Sequence, residues 1–125
     1  RLPLDASSLR LIKDSLDKAV NSSSGTARRA HLSIPTFRLA GKTSTSQVRR
    51  ISMAERSAGV RSVEETPWHL RDNAIFVGYA PTDRPKYVLA LLIEHGGWGG
   101  KTTGPLVKKI FTYLYNRDQK NDSPT

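Results

Sequence analysis

With 125 residues, 37% of them hydrophobic and 25% charged, the chain has the composition of one small globular domain or a part of a larger one. It has no cysteine, which excludes a disulfide framework and a thiolate metal site and leaves the redox compartment open. The formal net charge of +9 permits attraction to anionic polymers or lipids. The basic residues are nevertheless spread from Arg1 to Lys120 without a run of five, which favours a generally basic surface over a dedicated nucleic-acid patch.

No apolar stretch approaches the ~20 residues that a membrane span requires, and no signal sequence opens the chain. The chain begins at Arg1 without an initiator methionine and runs directly into Leu2-Pro3-Leu4, so it reads as a piece of something longer. Leu9, Ile12, Leu16, Ala19 and Val20 recur at helical spacing, with Asp5 or Ser7 available as the cap, and predict an amphipathic helix over 7–20. Asn21-Ser22-Ser23-Ser24-Gly25 ends it. A basic connector then passes Pro35 into a strand near 37–48, where Phe37-Arg38-Leu39-Ala40-Gly41 is closed by Lys42-Thr43-Ser44-Thr45.

Residues 49–73 are charged and weakly periodic and read as a long excursion with one short helix near Ser52–Ser57. Two apolar runs follow, 74–80 and 87–95, separated by Pro81-Thr82-Asp83-Arg84-Pro85-Lys86, and they predict a hairpin. Neither run alternates, so each strand is expected to need cover on both faces. Gly96-Gly97-Trp98-Gly99-Gly100 reads as a glycine-rich turn. A helix is predicted over 104–116, with Pro105 in its first turn and Leu106, Val107, Ile110, Phe111, Leu114 and Tyr115 on its apolar face. The domain is expected over 1–117 and a disordered polar tail over 118–125.

Lys42-Thr43-Ser44-Thr45 is the candidate site. A cation beside clustered hydroxyls and free strand-edge N–H groups is the chemistry that holds a carboxylate and polarises a neighbouring acyl carbonyl. Strand periodicity places the Thr43 and Thr45 side chains on one face. A phosphate-binding loop is excluded, because the glycine it needs five residues before Gly41 is Thr36. Ser15-Leu16-Asp17-Lys18 matches Ser-x-x-Lys by letter, but it lies on the solvated side of the first helix and no Ser-x-Asn occurs in the chain. His31, His69 and His95 lack any ligand spacing, so no metal is expected, and no cofactor is expected either. Trp68 and Trp98 are expected to plug core edges.

Lys42-Thr43-Ser44-Thr45 resembles the Lys-Thr-Gly motif of penicillin-binding proteins and serine β-lactamases. Gln47-Val48-Arg49-Arg50-Ile51-Ser52 and Arg71 through Pro81 resemble the end of the transpeptidase domain of bacterial penicillin-binding protein 2. Gly25-Thr26-Ala27 and Glu94-His95-Gly96-Gly97 fit the same family, so the resemblance runs from about Leu4 to about Tyr115. It implies a peptidoglycan D,D-transpeptidase that cross-links stem peptides through a serine acyl-enzyme and is acylated by β-lactams. Its place would be the periplasmic face of the bacterial inner membrane, beside the membrane-embedded glycan polymerase of the elongation machinery.

Of the family's three motifs only the third is present, so the chain is expected to be inactive without the first half of the domain. By the resemblance, Lys42 sustains the positive field and proton network of the cleft. Thr43 and Thr45 bind the terminal carboxylate, and the Thr45 N–H is an oxyanion donor. Ser44 stands where the family has glycine. The implied architecture is α+β: a three-stranded antiparallel sheet with N- and C-terminal helices, a fragment of the α/β/α transpeptidase-like fold. An exposed apolar sheet face is expected, free to meet the missing half or a second copy. A non-catalytic interaction domain and a small basic nucleic-acid-binding module are the alternatives.

Overall fold

A computed structural model of the chain describes residues 3–121. Helix α1 spans Ala6–Asn21, and Asp5 caps it by accepting from the N–H groups of Ser7 and Ser8 at 2.9 Å each. These two donors and the serine hydroxyls hold the Asp5 carboxyl well below the usual carboxylate range. Most of α1 is exposed; only its last turns are packed, with Val20 fully buried.

Strand β1, Ala40–Ser46, is shorter than its sequence suggests. Pro35–Phe37 form a 3-10 turn instead, because Pro35 suits the first position of a turn and Phe37 is drawn into the core against Tyr87, Phe111 and Tyr115. Lys42 therefore lies within the strand and not at its end.

Helix α2, Met53–Ala58, opens with a reciprocal capping box between Ser52 and Glu55. Strands β2, Asn73–Ala80, and β3, Tyr87–Ile93, complete a three-stranded antiparallel sheet in the order β1-β2-β3. Lys42 pairs with Val77, which pairs with Ala90; Ser44 pairs with Ile75, which pairs with Leu92.

Burial alternates along β2 and β3, although the sequence does not. Phe76, Ala74 and Ala80 are fully buried with Val107 and Phe111 of helix α3, Gly99–Asn121. Their neighbours on the opposite face, Val77, Val88 and Leu92, are 49%, 78% and 55% exposed. The described residues thus cover one face of the sheet, and the second face is apolar and open. Burying Phe76 alone contributes roughly 1.5–3 kcal/mol, which makes the covered face the main source of cohesion.

The closing helix extends beyond 104–116 at both ends. It starts at Gly99, inside the run expected to be a turn, so Pro105 is internal and removes one hydrogen bond of the helix. The glycine is there for space: a Cβ on Gly99 would stand 2.3 Å from the Ser44 carbonyl oxygen. At the other end, residues 118–121 are helical and not a disordered tail. Tyr87 Oη donates to Asp118 Oδ1 at 2.7 Å and Lys86 Nζ lies 3.0 Å from Oδ2, pinning that turn to β3. Residues 122–125 of the expected tail lie outside the described residues.

Candidate functional site

Lys42, Thr43, Ser44 and Thr45 all lie on β1, which pairs with β2 on one side only, so its outer edge carries backbone groups free of any strand partner. Strand alternation sends Lys42 and Ser44 to the open face of the sheet. Thr43 and Thr45 turn to the α3 face, where Thr43 is 8% exposed and Thr45 is open to solvent. Lys42 Nζ donates to the Thr43 carbonyl at 2.7 Å and makes no ion pair within 4 Å among the described residues. Its charge is therefore available to an incoming anion.

Thr45 is engaged by a residue that sequence reasoning missed. The N–H of Gly99, the first residue of α3, donates to Thr45 Oγ1 at 3.2 Å. That bond uses a lone pair of the hydroxyl and leaves its proton to donate to a carboxylate. The Gly99 contact with Ser44 and this bond together fix the helix terminus beneath β1. The close approach expected at position 44 is thus made through the Ser44 backbone by Gly99, while the Ser44 side chain points into the open.

Upstream, β1 is positioned by a polar network. Asn21 Nδ2 donates to the Leu39 carbonyl at 2.8 Å and to Asp17 Oδ1 at 2.9 Å, and Asn21 Oδ1 meets His31 Nδ1 at 2.9 Å. Arg38 donates to both oxygens of Asp17, at 2.5 and 2.7 Å. These hydrogen bonds from Arg38 lower the Asp17 pKa, whereas burial, helped by the charges of Arg28, Lys108 and Arg38, lowers that of His31. Ser15 is exposed and its hydroxyl donates to the Leu11 carbonyl at 2.7 Å. Its exposure agrees with the reading of Ser15 on the solvated side of the helix.

The histidines and tryptophans serve the loops. His95 adopts a positive φ of 54°, its N–H donates to Asn73 Oδ1 at 2.9 Å, and its ring meets Trp68 edge-on with centroids 4.5 Å apart. Trp68 and Trp98 are 63% and 66% exposed, so neither plugs the core as expected. Instead Trp98 rims a cavity of about 710 Å³ whose wall includes Thr45, Arg49, Arg61 and Arg71. The length of the excursion was the one sequence signal for it, since long loops in compact domains commonly line sites.

This arrangement, an edge strand bearing Lys-Thr-Ser-Thr on a meander backed by a C-terminal helix, is that of a transpeptidase-type acyl-transfer domain. A penicillin-binding protein (PBP2) from Helicobacter pylori, solved in complex with MreC, superposes with a TM-score of 0.68 at 26% identity. That likeness covers 91% of this chain and 19% of the other. A FtsI4 D,D-transpeptidase domain from Legionella pneumophila gives a TM-score of 0.66 at 25% identity over 90% of this chain and 37% of that one.

Residues 1–112 match the penicillin binding protein transpeptidase domain, and the chain belongs to that family. Within it, the similarity is to the penicillin-binding protein 2 type. The peptidoglycan D,D-transpeptidase MrdA of Haemophilus influenzae is 34% identical over 107 residues, 84% of this chain. The Acinetobacter baumannii MrdA is 35% identical over 98 residues, 78% of this chain. The chain spans only about 15% of the length of the H. influenzae relative.

Proposed function

We propose that this chain supplies the Lys-Thr-Gly-type wall, here Lys42-Thr43-Ser44, of a serine D,D-transpeptidase that cross-links peptidoglycan stem peptides and is acylated by β-lactams. The observation that carries the reading is β1 itself: an open strand edge with an unpaired cation, in a chain of the transpeptidase family. Lys42 holds the cleft positive and sustains its proton network. Thr45, exposed and with its hydroxyl proton free, binds the terminal carboxylate of the peptide, and its N–H donates to the developing oxyanion. The Thr43 hydroxyl binds the same carboxylate, although its side chain is nearly buried on the α3 face.

The nucleophile and its base belong to a Ser-x-x-Lys segment outside these 125 residues, so the chain alone is inert toward penicillin. The open apolar face of the sheet, with Val77, Val88 and Leu92, is where the rest of the domain packs. The parent works at the periplasmic face of the inner membrane beside a glycan polymerase. Among the described residues no helix is long and apolar enough to cross a membrane.

The test is acylation of the longer protein by a fluorescent penicillin. Lys42→Ala is expected to slow acylation on the order of 100-fold or more, and Thr45→Val by a smaller factor. Ser44→Gly is expected to change the rate, because Ser44 shares the open face with Lys42. A Lys42→Ala protein acylated at the wild-type rate overturns the assignment, and an unchanged rate in Ser44→Gly removes the role of Ser44.

A further inference from the structure

Helix α3 presents two unlike faces. Inward, Thr103, Val107 and Phe111 are fully buried. Outward, Leu106, Lys109, Tyr113, Arg117 and Lys120 recur at steps of three and four residues, which sets them in one stripe about 21 Å long. Leu106 is 41% and Tyr113 65% exposed, and the three cations of the stripe are exposed as well. Lys101 and Lys108, also exposed, flank it on one side. The only carboxylate of the helix, Asp118, is turned inward: its side chain is 13% exposed and engaged by Tyr87 and Lys86. Lys108, Lys109 and Lys120 make no ion pair within 4 Å among the described residues, whereas Lys101 is held by Glu64 and Arg117 by Tyr87. Helix α1 is exposed too, yet its charges are mixed, with Arg10, Lys13 and Lys18 standing among Asp14 and Asp17. Positive charge is therefore unopposed on the outer side of α3.

We propose that the outer face of α3 rests on an anionic lipid surface, with Lys108, Lys109 and Lys120 against the headgroups and Leu106 and Tyr113 at the boundary beneath them. The shape of the face selects this partner. A folded acidic protein is anchored by side chains that fill pockets, but the cavities beside Thr45, beside Arg29 and at the start of α1 take nothing from α3 beyond Thr102. Charges spread along a convex rod suit a broad, yielding array of phosphates, and several Lys or Arg residues on one helix face are the usual basis of such binding. A tyrosine and a leucine between lysines match the layering of a bilayer interface, where the ring keeps its hydroxyl in water and the lysine stems lie along apolar surface. The inference is independent of the reading of β1. It orients the domain nonetheless: Lys42 and Ser44 lie on the face of the sheet opposite α3 and would look away from the lipid.

The test is cosedimentation of the 125-residue chain with vesicles of phosphatidylcholine and phosphatidylglycerol in equal parts. The chain is expected to bind these vesicles, to ignore vesicles of phosphatidylcholine alone, and to be released as salt is raised. Lys108→Gln, Lys109→Gln and Lys120→Gln combined should weaken partitioning about 100-fold, at about fivefold for each cation near an anionic surface. Arg10→Gln, Lys13→Gln and Lys18→Gln combined remove the same charge from α1 and should weaken it less than about fivefold. Glutamine keeps the helix propensity of the exposed residues it replaces, and circular dichroism verifies both folds. Leu92→Gln, on the open face of the sheet, should leave binding unchanged. Equal losses from the two triple variants would mean a generally basic surface and overturn the inference. So would absence of binding, equal binding to phosphatidylcholine alone, or loss of binding in Leu92→Gln, which would make the open sheet face the lipid contact. Binding to poly-L-glutamate as tight as to the vesicles would assign the face to acidic polymers and overturn the lipid assignment.

Discussion

Replacing Gly99 by alanine tests how α3 is seated beneath β1. The added Cβ would stand 2.3 Å from the Ser44 carbonyl oxygen and 3.0 and 3.3 Å from its carbon and nitrogen. All three are backbone atoms of a paired strand, so no side chain can swing aside, and the helix terminus must retreat. Overpacking of this kind costs about 1–3 kcal/mol, and the retreat also breaks the Gly99 N–H bond to Thr45 Oγ1, worth about 1 kcal/mol. Alanine returns up to about 1 kcal/mol through helix propensity, and less at the first helical residue than in the interior. The balance is a loss of roughly 1–3 kcal/mol, read as a lower urea midpoint at unchanged slope. Amide shifts should move at Ser44 and Thr45 and not at Ala90. A Gly99→Ala protein as stable as the wild type, with Thr45 unshifted, would refute the seating described here.

Two further outcomes follow from the packing and the charges. Phe76→Ala, on the covered face, should cost about 3–5 kcal/mol, while Leu92→Gln, on the open face, should change stability by less than about 0.5 kcal/mol and reduce self-association and dye binding in sedimentation and fluorescence measurements. Similar losses from both would mean that the open face is covered. The pKa values of His31 and Asp17 are both lowered in the fold, so the folded state binds fewer protons than the unfolded chain as each titrates. Stability is therefore full at neutral pH, begins to fall below about 6.5 with His31, and falls again below about 3.8 with Asp17. Asp5, Asp118, Glu55, Glu64 and Glu65 are lowered as well and share the acid limb, so Asp17→Asn should reduce it in pH-dependent thermal melts without removing it, and an unaltered acid limb would exclude a contribution from Asp17. The Arg38 partner is half exposed, which keeps this contribution small.

The elements were legible where periodicity or capping chemistry is local. The α1 face, the short helix near Ser52–Ser57 and the two β-branched runs each announce themselves within a dozen residues. What could not be read was set by contacts across the fold. Gly99 and Gly100 look like turn residues until the Ser44 carbonyl is placed against them, and Phe37 looks like a strand residue until three aromatic rings claim it. The alternating burial of β2 and β3 was hidden because both faces are apolar, a composition that asks for cover which residues 3–121 do not supply. At the site, Lys42 through Thr45 were visible as a motif, while Gly99 and the cavity wall with Arg61 and Arg71 were not, since chain positions 16 to 54 residues from Thr45 converge there only after folding.

The order β1-β2-β3 also fixes the sequence in which the sheet is assembled. β2 and β3 are joined by only the six residues 81–86, whereas β1 must close across the 26 residues 47–72 before it meets β2. Loop closure over the longer span costs about 1.3 kcal/mol more, so the hairpin of β2 and β3 forms first and β1 docks onto it late. Substitutions in the hairpin should slow folding, and those in β1 should mainly speed unfolding. The strand that bears Lys42 is thus the last to be secured and the first to come away.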